Sequence, residues 1–100
     1  MPLVSVAMPV YNSEDYIAEA IESILAQTFT DFDLLIVDDA STDGSAEIIR
    51  SYRRRDDRVR AFRLEQIHGP LFAKSFGIAK SRSDIVVLMD AKDISLPERP

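Results

Sequence analysis

A chain of 100 residues, 46% hydrophobic and 29% charged, has the size and composition of one globular domain, not of a two-domain enzyme, a disordered segment or a fibre. Cysteine is absent and His68 is the single histidine, which excludes disulfides, thiolate catalysis, Cys-based zinc and any multi-histidine metal site. The net charge of −5 hides an asymmetry: residues 1–50 hold one base against ten acids, and residues 51–100 hold eleven bases against seven acids. Such a chain is poorly suited to nucleic acid, whose binders need many phosphate contacts, and it has no run of about 18 apolar residues to span a membrane. Met1-Pro2-Leu3 carries no basic n-region, so no secretory leader is expected and a cytoplasmic location is.

In chain order, Leu3 to Val10 is a short apolar run rich in β-branched residues and stopped near Pro9, which predicts a buried strand. Asn12 or Ser13 is placed to cap a helix, with Glu14 and Asp15 at its positive end. Ile17, Ala20, Ile21, Ile24 and Leu25 then recur at helical spacing, predicting an amphipathic helix to about Gln27. Phe32 to Val37 reads as a second strand running into Asp38-Asp39. Ser41-Thr42-Asp43-Gly44 offers caps for a second helix with Ala46, Ile49 and Tyr52 on its inner face. Arg58 to Leu64 alternates basic with apolar residues, as an exposed or edge strand does. After the Gly69-Pro70 turn, Leu71 to Lys80 reads as a third helix. Ile85 to Met89 is continuously apolar, which predicts a fourth strand buried on both faces. The β-α-β-α-β-α-β order implies an α/β, Rossmann-like fold: a mostly parallel sheet with right-handed crossovers and helices on both faces, in one domain over 1–100.

Ligands of such sheets bind outside the carboxyl ends of the strands. Three of the four strand ends carry candidates: Pro9-Val10-Tyr11-Asn12, Asp38-Asp39-Ala40-Ser41-Thr42-Asp43 and Asp90-Ala91-Lys92-Asp93. A carboxylate following a buried strand needs compensation, and a hard cation shared with substrate phosphates is one way to supply it; capping of the loop and helix is another. Glycine-rich dinucleotide and P-loop motifs are absent. Arg53-Arg54-Arg55 reads as a solvated helix end and His68 as a loop residue.

These residues resemble family 2 glycosyltransferases of the GT-A fold. The likeness runs through Pro9-Val10-Tyr11-Asn12, Tyr16-Ile17, Ala20-Ile21, Ser23 to Thr28 and Asp31 to Ser45. It resumes at Gly69, Ala73, Gly77-Ile78, Leu88 to Asp93, Pro97 and Arg99. It covers nearly the whole chain in order and spacing.

The resemblance implies transfer of a sugar from a nucleotide-diphosphate sugar, commonly a UDP-sugar, to an acceptor hydroxyl with inversion. It implies a nucleotide-binding set of Pro9, Val10, Tyr11, Asn12, Asp38, Asp39, Lys74, Asp90 and Ala91. In that set Tyr11 packs on the base, Asp39 accepts from its ring N–H, and Lys74 adds positive charge. Asp90 and Asp93 fall on the DXD-type segment that holds Mn²⁺ or Mg²⁺, where the divalent charge neutralises the departing diphosphate. Lys92 stands at an acid position of that segment and is expected to weaken metal binding. Ser75 and Ile67 stand where asparagine is frequent. In such enzymes the general base lies beyond the metal segment, so none is expected within residue 100, and the chain is expected to be the donor-binding part, inactive alone. Elements that follow the fourth strand in the family would cover it, so an open edge and self-association are expected. A non-catalytic nucleotide-sugar-binding module is the alternative. A phosphotransfer receiver is disfavoured, because its acid pair would follow the first strand.

Overall fold

The computed structural model describes residues 4–26 and 31–89. Seven elements alternate along the chain: β1 (Val4–Val10), α1 (Ile17–Leu25), β2 (Phe32–Asp38), α2 (Ser45–Arg55), β3 (Val59–Arg63), α3 (Pro70–Lys80) and β4 (Ile85–Leu88). The strands form one sheet in the order β3-β2-β1-β4, every pair parallel. The α/β architecture expected from the order of elements is therefore the one observed.

The period of two along each strand decides which helix covers which face. Met8 and Val10 of β1, with Phe32, Leu34 and Ile36 of β2, turn to one side and pack with Ile17, Ala20, Ile21 and Ile24 of α1 and Ile49 and Tyr52 of α2. The Tyr52 hydroxyl donates to Glu22 Oε2 at 2.6 Å, tying α2 to α1 at the rim of this layer. The intervening residues face α3, where Val37 meets Ala73, Leu64 and Phe76. β2 is buried at all seven positions, as the inner strand of a two-faced sheet must be.

α3 lies close to the sheet because Gly77 faces it without a side chain. A Cβ built there would lie 3.1 Å from Ala7 Cβ and 3.5 Å from Val37 Cγ2. The other end of the α3 layer is clasped by polar groups at the amino ends of the strands. Ser81 donates to Ser5 Oγ (2.8 Å), Ser5 donates to the buried Asp33 (2.6 Å), and Arg60 approaches the other Asp33 oxygen at 3.3 Å. No buried side-chain nitrogen or oxygen among the described residues lacks a partner.

Three expectations change. α1 begins at Ile17, and neither Asn12 nor Ser13 caps it by its side chain: the Ser13 carbonyl accepts from Tyr16 and Ile17 N–H, while its hydroxyl donates back to the Tyr11 carbonyl. Leu25 is the last residue of α1, and Gln27 lies outside the described residues. β4 is not buried on both faces: among the described residues it pairs with β1 alone, while α3 packs over β1 and β2, and Ile85 is 51%, Leu88 44% and Val87 38% exposed. Apolarity alone could not distinguish a central strand from an edge strand. β3, expected as an exposed or edge strand, does form the opposite edge, with Val59 turned into the core.

Gly77→Val forces branched carbons against Ala7 on the strand beneath, whose backbone cannot swing aside as a flexible side chain would. Urea unfolding is expected to show a loss of about 2 kcal/mol; an unchanged midpoint would mean that α3 does not sit this close to the sheet.

Candidate functional site

The carboxyl ends of β1 and β2 meet in register, Val10 beside Asp38, and the Asp39 N–H donates to the Val10 carbonyl at 2.8 Å. That bond sets the ends of the two strands, and with them Tyr11 and Asp39, side by side. Tyr11 is 46% exposed, whereas Asp38 and Asp39 are each only 3% exposed. Consecutive strand residues point to opposite faces, so these two carboxylates diverge.

Asp38 turns toward the α2 side. Its Oδ2 accepts from Arg63 at 2.7 Å and its Oδ1 from the Ser41 N–H at 3.0 Å, while Arg63 also donates to the Ser41 carbonyl at 3.0 Å. Asp39 turns toward α3. Its two oxygens accept from the N–H groups of His68 and Gly69, both at 2.9 Å. Gly69 takes φ +92°, a conformation open to glycine at little strain, and so delivers its N–H to Asp39 while starting α3 on Pro70. The neighbouring His68 ring stacks on Phe72 at 4.3 Å between centroids.

The loop after β2 is anchored to the end of β1 by Asn12. The Thr42 and Asp43 N–H groups donate to Asn12 Oδ1 at 2.8 and 3.3 Å, and the Asn12 N–H donates to Ser41 Oγ at 2.9 Å. Among the described residues, Asn12 and Ala40 are the positive-φ residues other than glycine, at 45° and 59°. Asparagine tolerates that region better than alanine does, and clustering of such backbone at one rim is characteristic of functional loops. The Ser13 N–H donates to Ser45 Oγ at 2.9 Å, and the Gly44 N–H donates to the Glu14 carboxylate. Asp43 accepts from the Ser45 and Glu14 N–H groups. Partial burial pushes the Asp43 carboxyl up, but those hydrogen bonds outweigh it and hold its pKa below the ordinary carboxylate value.

The sequence model described as Glycosyl transferase family 2 matches residues 5–99. The chain belongs to that family.

Relatives agree with the match. The chain is 40% identical over 93 residues to an uncharacterized glycosyltransferase of Haemophilus influenzae, covering 93% of this chain and 37% of the relative. S. aureus TarS 1–349 in complex with UDP-GlcNAc superposes with a TM-score of 0.83 at 32% identity, over 89% of this chain and 26% of TarS. The mannosyltransferase PcManGT of Pyrobaculum calidifontis, in complex with GDP-Man and Mn²⁺, gives a TM-score of 0.83 at 26% identity, over 90% and 27%. The chain thus spans about a third of the length of the curated relatives it matches.

Of the family's implied set, Pro9, Val10, Tyr11, Asn12, Asp38 and Asp39 come together at two adjoining strand ends, and Lys74 stands half-buried one turn into α3. Asp90, Ala91, Lys92 and Asp93 lie outside the described residues. β4 runs parallel to β1, and the Met89 N–H donates to the Ala7 carbonyl at 3.0 Å. Asp38 and Asp39 do not suit a shared cation, because they diverge and Asp38 is already neutralised by Arg63. Among the described residues no group of three or more His, Cys, Asp or Glu side chains could hold a metal.

Sequence reading missed three partners: Arg63 for Asp38, the His68 and Gly69 amides for Asp39, and the crosslinking use of Asn12. Strand parity could have separated the two acids in advance. The amide donors carry no side-chain signal, and only the Gly69-Pro70 turn hinted at them.

Asn12→Ala removes the acceptor shared by the loop amides and leaves alanine at positive φ. It is expected to lower stability by about 1–2 kcal/mol and to accelerate hydrogen exchange at Thr42 and Asp43. Unchanged exchange at both amides would show that Asn12 does not hold the loop.

Proposed function

We propose that this chain is the donor-binding part of an inverting glycosyltransferase that takes a nucleotide-diphosphate sugar, a UDP-sugar first among them. The observation that carries the reading is the pairing of an exposed aromatic ring, Tyr11, with a buried carboxylate, Asp39, on strand ends joined by the Val10–Asp39 backbone bond. A ring at the mouth offers a stacking surface for a base. Each Asp39 oxygen accepts one protein N–H, and a carboxylate has about four acceptor sites, so capacity is left for a ring N–H of the base. The UDP-GlcNAc complex of TarS and the GDP-Man complex of PcManGT support a donor of this chemical class.

In this reading Pro9 and Val10 line the pocket with backbone, and Asn12 and Asp38 hold its walls. Lys74, Asp90 and Ala91 complete the nucleotide contacts. Leaving-group departure builds negative charge on the diphosphate, and a lysine ammonium near it lowers that barrier electrostatically. Mn²⁺ or Mg²⁺ held by Asp90 and Asp93 would add a divalent charge there, as the Mn²⁺ of the PcManGT complex suggests, with affinity reduced by Lys92. The general base that deprotonates the acceptor is assigned beyond residue 100, so this chain binds donor and transfers little alone. A cytoplasmic enzyme fits the reading, as does self-association of the chain through the edge of β4 that no described strand pairs.

Calorimetric titration of UDP, with and without Mn²⁺, tests this. The intact chain is expected to bind, and Asp39→Ala to weaken binding at least about tenfold by removing a hydrogen bond to a buried charged group. Tyr11→Ala, which alters an exposed ring and spares the fold, is expected to weaken it comparably. No binding, or equal affinity in the Tyr11 variant, would contradict the donor site. Donor binding without sugar transfer by a polypeptide of its relatives' length that carries this chain would favour the non-catalytic module instead.

A further inference from the structure

Directly after Asp39, Ala40 takes φ +59°. In that region the Cβ crowds the following carbonyl oxygen, whereas glycine enters it freely. The residues on either side hold Ala40 there. The Asp39 N–H is fixed on the Val10 carbonyl at 2.8 Å. Ser41 is pinned at three atoms: its N–H donates to Asp38 Oδ1 at 3.0 Å, its Oγ accepts from the Asn12 N–H at 2.9 Å, and its carbonyl accepts from Arg63 at 3.0 Å.

Arg63 spans the strained residue. It lies opposite Asp38 in the parallel register of β2 and β3, and the Leu64 N–H donates to the Asp38 carbonyl at 2.9 Å, which fastens the two strand ends together. From this position Nη1 donates to Asp38 Oδ2 at 2.7 Å while Nη2 donates to the Ser41 carbonyl. Asp38 is 3% exposed and needs a compensating cation, a need that the first of these bonds meets. The second bond does nothing for that carboxylate. It ties residue 41 to the same planar group as residue 38 and so fixes both ends of the segment that contains Asp39 and Ala40. A guanidinium holds two donors at a set separation, which a lysine ammonium does not.

We propose that Arg63 is a positioning residue of the donor site. By bridging Asp38 and Ser41 it keeps Ala40 left-handed, and through that backbone it holds the Asp39 carboxylate where a ring N–H of the base meets it beside Tyr11. This assignment rests on the donor reading of Tyr11 and Asp39. A residue that served only to neutralise Asp38 would act regardless of the conformation open to residue 40.

A double-mutant cycle in the intact chain, with UDP as the probe, separates the two roles. R63K keeps a cation beside buried Asp38, so the fold is expected to survive, but it lacks the fork. By calorimetry R63K is expected to weaken UDP binding about fivefold in the Ala40 chain and less than about twofold in the A40G chain, where glycine holds the left-handed turn without the bridge. In the free protein the ¹³Cα and ¹³Cβ shifts of Ala40 are expected to leave their left-handed values in R63K while the shifts of the sheet amides persist. No UDP binding by the native chain would overturn the donor reading and this role with it. Native binding with an R63K loss equal in both backgrounds, with no R63K loss, or with unchanged Ala40 shifts would overturn the positioning role and leave the donor reading standing.

Discussion

Two buried carboxylates at the end of the inner strand organise the rest of this fold. β2 is enclosed on both faces, and an ionised acid there is tolerated only if hydrogen bonds or opposite charge replace its lost water. Asp38 and Asp39 meet that demand in opposite directions. Asp38 draws in Arg63 and the turn at Ser41, closing the β2–α2 loop against β3. Asp39 draws in the His68 and Gly69 amides, fixing where α3 begins. One dipeptide therefore ties together three elements that are far apart in sequence, at the sheet edge where parallel α/β folds place their ligands.

That arrangement leaves the Tyr11 ring accessible at the corner beside β1. Asn12 holds the loop through its amide oxygen, and Ala40 accepts a left-handed backbone that an alanine ordinarily avoids. The structure thus concentrates strain and satisfied polar groups at one rim while an aromatic ring stays accessible there. Family 2 membership gives this corner a chemical context, and the superposition on nucleotide-sugar complexes at 26–32% identity gives it a donor class to test.

Much of this was legible in the residues. Apolar runs located the four strands, three-and-four spacing located the helices, and the Asp38-Asp39 pair marked the carboxyl end of the inner strand. What escaped reading has identifiable causes. The exposure of β4 depends on what lies beside it, which a run of Ile, Val and Leu does not encode. The helix cap expected of Asn12 failed because its carboxamide found Thr42 and Asp43 across the strand gap, a contact thirty residues away in sequence. The partners of Asp39 are backbone amides and leave no trace in side-chain pattern. Adjacency in sequence also hides the alternation that sends the two acids to different partners.

The central claim is that Asp39 holds the start of α3 through two amides. Hydrogen exchange followed by NMR at His68 and Gly69 tests it most directly. Both amides, though they precede the helix, are expected to be strongly protected in the native chain and to lose that protection selectively in Asp39→Ala while the sheet amides keep theirs. Fast exchange at both positions in the native chain would contradict the account.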